Sequence, residues 1–259
     1  MTLDFVKCSS FGNDFLILVI PHKLTNTQLS SLARRYCDRH NGVGADGLLT
    51  WEIDRKAMIL DIFNADGTKA SMCGNGIRAV ATWWREQFEN PFPLTKVVTE
   101  AGTFSIKWQQ RAKVLAIGWP KIPVKLETFK WQNYTVELWD SGVPHAVILL
   151  NKTALPANWQ ALSETLVKER DCNVDWVSVK PDGFILNTYE RGVGPTLACG
   201  TGSVAAAMAI WQQRGVNTTN NAALKVNYAS QETATVLLEK GQVYLAGATA
   251  KIICWGILF

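Results

Sequence analysis

Cys73-Gly74-Asn75-Gly76 and Cys199-Gly200-Thr201-Gly202 are two copies of one short pattern in a chain of 259 residues, and their surroundings are duplicated with them. Phe63-Asn64-Ala65-Asp66-Gly67 stands upstream of the first, and Tyr189-Glu190-Arg191-Gly192 upstream of the second. Asn64 precedes Cys73 by nine residues and Glu190 precedes Cys199 by nine, while the two cysteines lie 126 residues apart, about half the chain. Gly12 answers Gly142 at a similar offset, and Val43-Gly44-Ala45-Asp46 answers Cys172-Asn173-Val174-Asp175. Two related halves is the economical explanation.

Each Cys-Gly-x-Gly introduces a helical stretch. Between Ile77 and Phe88 the apolar residues leave no continuous polar face, and the same holds from Val204 to Trp211, before a polar last turn at Gln212, Gln213, Arg214 and Gly215. A helix apolar all round is buried on all sides. Most of the rest reads as short strands: 57–63, 96–99, 104–108, 114–118, 145–150, 174–179, 184–189, 224–228, 235–238, 243–245 and 252–255. Turn residues separate them at Ala101-Gly102, Pro181-Asp182-Gly183 and Lys240-Gly241. Many strands and one enveloped helix per half imply a sheet curled around that helix, twice. Two amphipathic surface helices are expected as well, one through Leu29, Leu32, Ala33, Tyr36 and Cys37, the other through Trp159, Leu162 and Leu166.

Composition narrows the function. Hydrophobic residues make up 47% and charged residues 19%, the balance of a folded chain. The 26 Lys and Arg against 22 Asp and Glu leave +4 with no dense basic block, so a nucleic-acid partner is not suggested. The apolar run Phe15-Leu16-Ile17-Leu18-Val19-Ile20 stops at Pro21, too short to span a bilayer, and no signal peptide is expected. Six cysteines without CxxC spacing suggest free thiols in a reducing, cytoplasmic setting.

Cys73 and Cys199 differ from Cys8, Cys37, Cys172 and Cys254, which suit buried or strand positions, because each stands where a glycine-rich turn enters a helix. The first N–H groups of a helix lack intrahelical acceptors and carry partial positive charge, so a lowered thiol pKa is expected at both cysteines. The same N–H groups can hold a carboxylate, with glycines permitting close approach. Two facing turns would offer one anion two helix N-termini and two thiols. That suits inversion at an amino-acid α-carbon: one group removes the proton, the other returns one on the opposite face, and N–H donors stabilise the enolate charge on the carboxylate.

Ser71-Met72-Cys73-Gly74-Asn75-Gly76-Ile77-Arg78 and the stretch 189–202 closely resemble the two signature segments of the diaminopimelate epimerase family. Phe11-Gly12-Asn13-Asp14-Phe15, Gly44-Ala45-Asp46-Gly47-Leu48-Leu49, Phe63-Asn64-Ala65-Asp66-Gly67, Gly142-Val143-Pro144-His145 and Asn173-Val174-Asp175 follow the family's pattern in its order. The resemblance implies an α/β fold of two pseudo-symmetric barrels, each a curved, mostly antiparallel sheet around a central helix, with the active site in the cleft between them. The boundary is expected near Trp119-Pro120, giving residues 1–118 plus 251–259 and residues 119–250. It implies an isomerase that needs neither pyridoxal phosphate nor metal and converts LL-diaminopimelate to the meso form for lysine and peptidoglycan, usually as a homodimer.

By the same resemblance Cys73 and Cys199 form the acid/base pair, with Cys73 the donor and Cys199 the acceptor in the direction usually written. Gly74, Asn75, Gly200 and Thr201 supply donors to the α-carboxylate. Asn13, Asn64, Asn173, Glu190 and Arg191 surround the rest of the substrate, and His145 and Glu190 support the thiols. By residue type alone, Asn64 and Asn173 better suit turns or strand ends, while His145 could be a hydrogen-bonded strand start and Glu190 with Arg191 a solvated pair. Three positions depart from the family pattern: Ala79 where Cys is frequent, Val143 where many members have Asn, and Gly47 where some have Gln. The last two leave open a broad-specificity amino-acid or histidine racemase. A double-bond isomerase of the same fold, or a redox-sensing or anion-binding protein using Cys73 and Cys199, are the further alternatives.

Overall fold

The computed structural model describes residues 2–19, 24–87, 94–109, 113–150 and 154–258; Ile20, Pro21, Phe88 and Phe259 lie outside them. The chain divides into two compact units, Met1–Pro120 with Ala248–Phe259, and Lys121–Gly247. In the first run β1 (Leu3–Ser10), β2 (Asn13–Leu18), α1 (Asn26–Tyr36), β3 (Gly47–Asp54), β4 (Ala57–Asn64), β5 (Lys69–Ala70), α2 (Gly74–Gln87), β6 (Lys96–Thr99), β7 (Gly102–Gln109) and β8 (Val114–Gly118). The second holds β9 (Val124–Trp131), β10 (Tyr134–Asp140), β11 (Pro144–Leu150), α3 (Trp159–Arg170), β12 (Asn173–Val179), β13 (Gly183–Glu190), β14 (Gly194–Thr196), α4 (Gly200–Gln213), β15 (Ala222–Tyr228), β16 (Thr233–Glu239) and β17 (Gln242–Ala248), after which β18 (Lys251–Leu258) belongs to the first unit.

Within the two units the strands follow the same order and sense. In the first unit the strands lie in the order β18, β1, β2, β3, β4, β6, β7, β8, with β2–β3 and β4–β6 parallel and the other neighbours antiparallel. In the second they lie in the order β9, β10, β11, β12, β13, β15, β16, β17, with β11–β12 and β13–β15 parallel. Each parallel pair needs a crossover. The first crossover of each unit carries the amphipathic helix, α1 or α3, and the second carries the buried one, α2 or α4. Each unit is therefore a mostly antiparallel sheet wound about one central helix, as the duplicated sequence implies.

Those central helices have no solvent face over most of their length. Every residue of α2 from Gly74 to Trp84 is buried, and every residue of α4 from Thr201 to Trp211. The outer helix α1 begins with a capping box between Thr25 and Gln28 and buries Leu29 and Ala33, the face its spacing predicts. The β16–β17 hairpin turns on Lys240 and Gly241 at φ 48° and 78°, the left-handed pair that a two-residue hairpin requires. Core tryptophans fill the remaining width: Trp51 lies 5.4 Å from Trp83 and 5.3 Å from Trp84, centroid to centroid, and Trp176 meets Tyr134 edge-on at 4.9 Å.

Candidate active site

In the first unit Cys73 immediately precedes α2. Its carbonyl accepts the Ile77 N–H at 2.9 Å and its Sγ accepts the Gly76 N–H at 3.4 Å, so the thiol sits on the open first turn of the helix. Asn75 on that turn donates Nδ2–H to Asn13 Oδ1 at 2.7 Å. Asn13 in turn donates to Asp46 Oδ2 at 3.2 Å, which also takes the Asp14 N–H at 2.9 Å. Arg39 grips both acids, at 2.7 Å to Asp14 and 2.8 Å to Asp46, and Lys7 reaches Asp14 at 3.0 Å. Burial would raise the Asp14 carboxyl, but hydrogen bonds and charge from Arg39 and Lys7 outweigh it and hold the group below its ordinary value. Cys73, Asn75 and Asn13 are thus tied into one charged frame. Asn64 is not: it is exposed at the end of β4 and donates to Thr68 Oγ1 at 3.0 Å.

The second unit repeats the plan with different side chains. Cys199 is the N-cap of α4, its Sγ accepting the Gly202 N–H at 3.4 Å and lying 3.3 Å from Thr201 Oγ1. Thr201 Oγ1 is 2.8 Å from His145 Nε2, and His145 Nδ1 is 2.6 Å from Asp175 Oδ2, both side chains fully buried. Asn173 approaches the same Nε2 at 3.2 Å and accepts the Arg191 N–H on Oδ1 at 2.9 Å. Glu190 ends β13 and accepts the Thr196 hydroxyl at 2.8 Å. The parallel register of β11 and β12, which sets His145 beside Asn173, assembles the cluster. Arg191 is exposed, and its guanidinium pairs with Asp171 at 2.7 Å.

The expectation of a lowered thiol pKa fails at Cys199. Burial raises it well above its ordinary value, and the neighbouring Glu190 and Asp175 raise it further, against the smaller opposing effect of the Thr201 and Gly202 hydrogen bonds. Desolvation of the thiolate exceeds the gain at the helix start. Burial likewise raises the Glu190 carboxyl. Elsewhere burial pushes Cys8 and Cys37 up to about 12 and Cys172 up to about 11, the behaviour of inert core thiols. Among the described residues no group of three or more His, Cys, Asp or Glu side chains is placed to hold a metal ion, and no helix is long and apolar enough to cross a membrane.

Sequence reasoning assigned no role to Asp46, Asp175 or Arg39, nor to Thr188, whose hydroxyl donates to Asp175 Oδ1 at 2.7 Å. Asp46 and Asp175 nevertheless end the two repeated stretches 43–46 and 172–175, a signal of equivalent duty in each half.

The chain as a whole is similar to known proteins. The chain is 34% identical over 230 residues to the diaminopimelate epimerase of Caldanaerobacter subterraneus subsp. tengcongensis, spanning 80% of this chain and 83% of that protein. It belongs to the diaminopimelate epimerase family. The diaminopimelate epimerase family model itself matches residues 5–122, the part that carries Cys73 and its frame. Two solved structures share the fold at low identity. A phenazine biosynthesis protein of the PhzF family from Enterococcus faecalis superposes with TM-score 0.72 and 13% identity over the whole of both chains. A hydroxyproline epimerase from Agrobacterium vitis, solved with trans-4-hydroxy-L-proline, superposes with TM-score 0.70 and 16% identity over 99% of this chain and 92% of that one. The double, pseudo-symmetric α/β architecture is common to them. Within the diaminopimelate epimerase family pattern, Gly47 has a local cause: a Cβ there would stand 2.7 Å from the Phe63 carbonyl oxygen, so the β3–β4 pairing in this chain leaves no room for a side chain.

Proposed function

We propose that the protein epimerises LL-2,6-diaminopimelate to the meso form without a cofactor, with Cys73 and Cys199 as the acid/base pair acting on opposite faces of one α-carbon. The observation that carries this reading is the duplicated helix start, Cys-Gly-x-Gly with Sγ accepting the N–H three residues on, in a chain of the diaminopimelate epimerase family. The N–H groups of Gly74, Asn75, Gly200 and Thr201, in the first turns of α2 and α4, suit an α-carboxylate, whose enolate form they stabilise more than its ground state. Asn13, held by Asp46, and Asn173, held by Arg191, are donors of fixed orientation for the rest of the substrate. Asn64 and Arg191 complete the set if they leave Thr68 and Asp171 for the ligand. His145 and Glu190 serve the thiol of Cys199. Because burial favours the thiol there, Cys199 must pass its proton on before it can accept one from substrate.

A second reading has one observation in its favour. Arg191 pairs with Asp171 at the surface, and with Val143 and Gly47 this leaves the distal end of the substrate less strictly read, as a broad-specificity racemase would require. We propose further that the enzyme works in the cytoplasm as a homodimer. Free cysteines support the first. The second is supported by edge strand β18, whose Ile253, Trp255 and Ile257 are each about half exposed. Proton NMR of candidate amino acids in deuterated water decides the substrate: the α-proton signal of LL-diaminopimelate should vanish with the wild-type protein and persist with Cys73→Ala or Cys199→Ala. Equal exchange of lysine and diaminopimelate would establish the broader racemase instead.

A further inference from the structure

Asp175 is buried without exposure and carries no substrate-facing role, yet each of its oxygens is committed. Oδ1 accepts the Thr188 hydroxyl at 2.7 Å, and Oδ2 lies 2.6 Å from His145 Nδ1. An ionised carboxylate only accepts, so Nδ1 must carry the proton that the short contact shares. Nε2 is then a bare lone pair. Asn173 supplies an independent check on that tautomer. Its Oδ1 faces a backbone N–H, that of Arg191, which can only donate, so the atom 3.2 Å from Nε2 is the amide nitrogen. Nε2 therefore accepts from Asn173 and from the Thr201 hydroxyl at 2.8 Å. With its hydrogen turned toward His145, Thr201 Oγ1 offers a lone pair to the Cys199 S–H at 3.3 Å.

We infer that Asp175 is a positioning residue of the reaction: by fixing His145 as the Nδ1–H tautomer it opens a proton path from Cys199 through the Thr201 hydroxyl to Nε2. This rests on the reading of Cys199 as one of the two acid/base groups. The step balances. The Cys199 S–H bond breaks as Thr201 Oγ1 takes that proton, the Thr201 O–H bond breaks as Nε2 takes the other, and a thiolate and an imidazolium remain. The imidazolium is stabilised by the Asp175 carboxylate on its far side, and Asn173 must yield its contact with Nε2 while the proton resides there. The reverse transfer restores the thiol. Asp175 plays the orienting part that a buried carboxylate plays behind a catalytic histidine in hydrolases. Glu190, half-buried beside Cys199, is the competing acceptor.

The chain has three histidines, so the ring nitrogens of His145 can be assigned by 15N–1H correlation after His22→Gln and His40→Gln. We expect a pyridine-type Nε2 and a protonated Nδ1 in the protein without substrate. Thr201→Val should lower kcat for diaminopimelate epimerisation by about 100-fold or more with a smaller change in KM, and Thr201→Ser should recover most of that loss. Asp175→Asn should shift the His145 ring toward the other tautomer and lower kcat similarly. An Nε2–H tautomer in the wild-type protein, or Thr201→Val turning over as fast as Thr201→Ser, would overturn the path and leave Glu190 as the acceptor. Absence of exchange on any amino acid by the wild type would instead overturn the enzymatic reading, and the ring signals would still report whether Asp175 sets the tautomer.

Discussion

The carboxylate of Asp175 occupies the space that a side chain at Gly202 would need: a Cβ at Gly202 would stand 2.5 Å from Asp175 Oδ1 and 3.0 Å from its Cγ. That carboxylate cannot retreat, because His145 and Thr188 hold it. The equivalent glycine of the first unit is less confined, since a Cβ at Gly76 would meet the flexible end of Leu49 at 3.3 Å and the Cys73 Cβ at 3.5 Å. Gly202→Ala should therefore destabilise the protein by about 1–3 kcal/mol, the usual cost of overpacking, and Gly76→Ala by distinctly less. Denaturant midpoints of the two variants check this, and equal losses would contradict the asymmetry.

The cysteines should separate by reactivity. Cys254 is exposed and Cys73 half-buried, whereas Cys8, Cys37, Cys172 and Cys199 are buried with raised pKa values. At pH 8 iodoacetamide should label Cys254 first, Cys73 next, and the other four only on unfolding. Cys37→Ala should cost about 1 kcal/mol, and Cys254→Ala, a surface change, within about 0.5 kcal/mol of nothing. Peptide mapping by mass spectrometry against time gives the order; rapid labelling of Cys199 in the folded protein would refute its desolvation.

Glu190 should make the folded state less stable as the pH rises. Its carboxyl is raised above the ordinary value of 4.5 by burial, so between that value and its folded pKa the unfolded chain has released a proton that the folded chain keeps. The unfolded state binds fewer protons, and stability falls with pH through that window. Glu190→Gln keeps an oxygen for Thr196 and removes the ionisation, so its stability relative to wild type should grow between pH 4.5 and pH 7.5 while activity falls. Urea melts at the two pH values measure it; a constant difference would show that the carboxyl is not perturbed.

The frame behind Cys73 predicts a different signature. Arg39 grips Asp46, the acid that accepts from Asn13, together with Asp14 beside it. Arg39→Ala should loosen Asn13 and raise KM several-fold with little change in kcat, since binding donors and not the acid/base pair are disturbed. Steady-state kinetics checks it, and a fall in kcat at constant KM would place Arg39 elsewhere in the reaction.

Much of this was legible in the sequence because duplication made it so. The repeat at 126 residues predicted two like units, and the absence of a polar face after each Cys-Gly-x-Gly predicted the buried α2 and α4. Strands β1, β2, β3, β5, β9, β10 and β14 were not separately legible. β9 and β18 share one burial pattern, mostly exposed with a single buried end, and residues such as Lys125, Glu127 and Lys130 blur the alternation on which strand reading depends. The eleven tryptophans had no functional meaning in the sequence, and eight of them prove to be core. The supporting shell was hidden for another reason: Asp175 and Asp46 act through partners about 30 residues away, which only strand register brings together.

Arg191 carries the question of substrate. Its guanidinium and the Asp171 carboxylate are 45% and 84% exposed, and an ion pair so open is worth about 0–1 kcal/mol, little enough for a substrate carboxylate to displace Asp171. A guanidinium can bind that carboxylate with two parallel hydrogen bonds, which an ammonium cannot. Arg191→Lys should therefore raise KM for diaminopimelate by about tenfold, the equivalent of about 1.4 kcal/mol, and should not alter the slow exchange of lysine, which has no distal carboxylate. Asp171→Asn should act in the opposite sense, lowering KM slightly by releasing the guanidinium. Parallel α-proton exchange assays on both substrates resolve it. If Arg191→Lys impairs lysine and diaminopimelate alike, the residue is holding Asn173 through the loop and not reading the distal end.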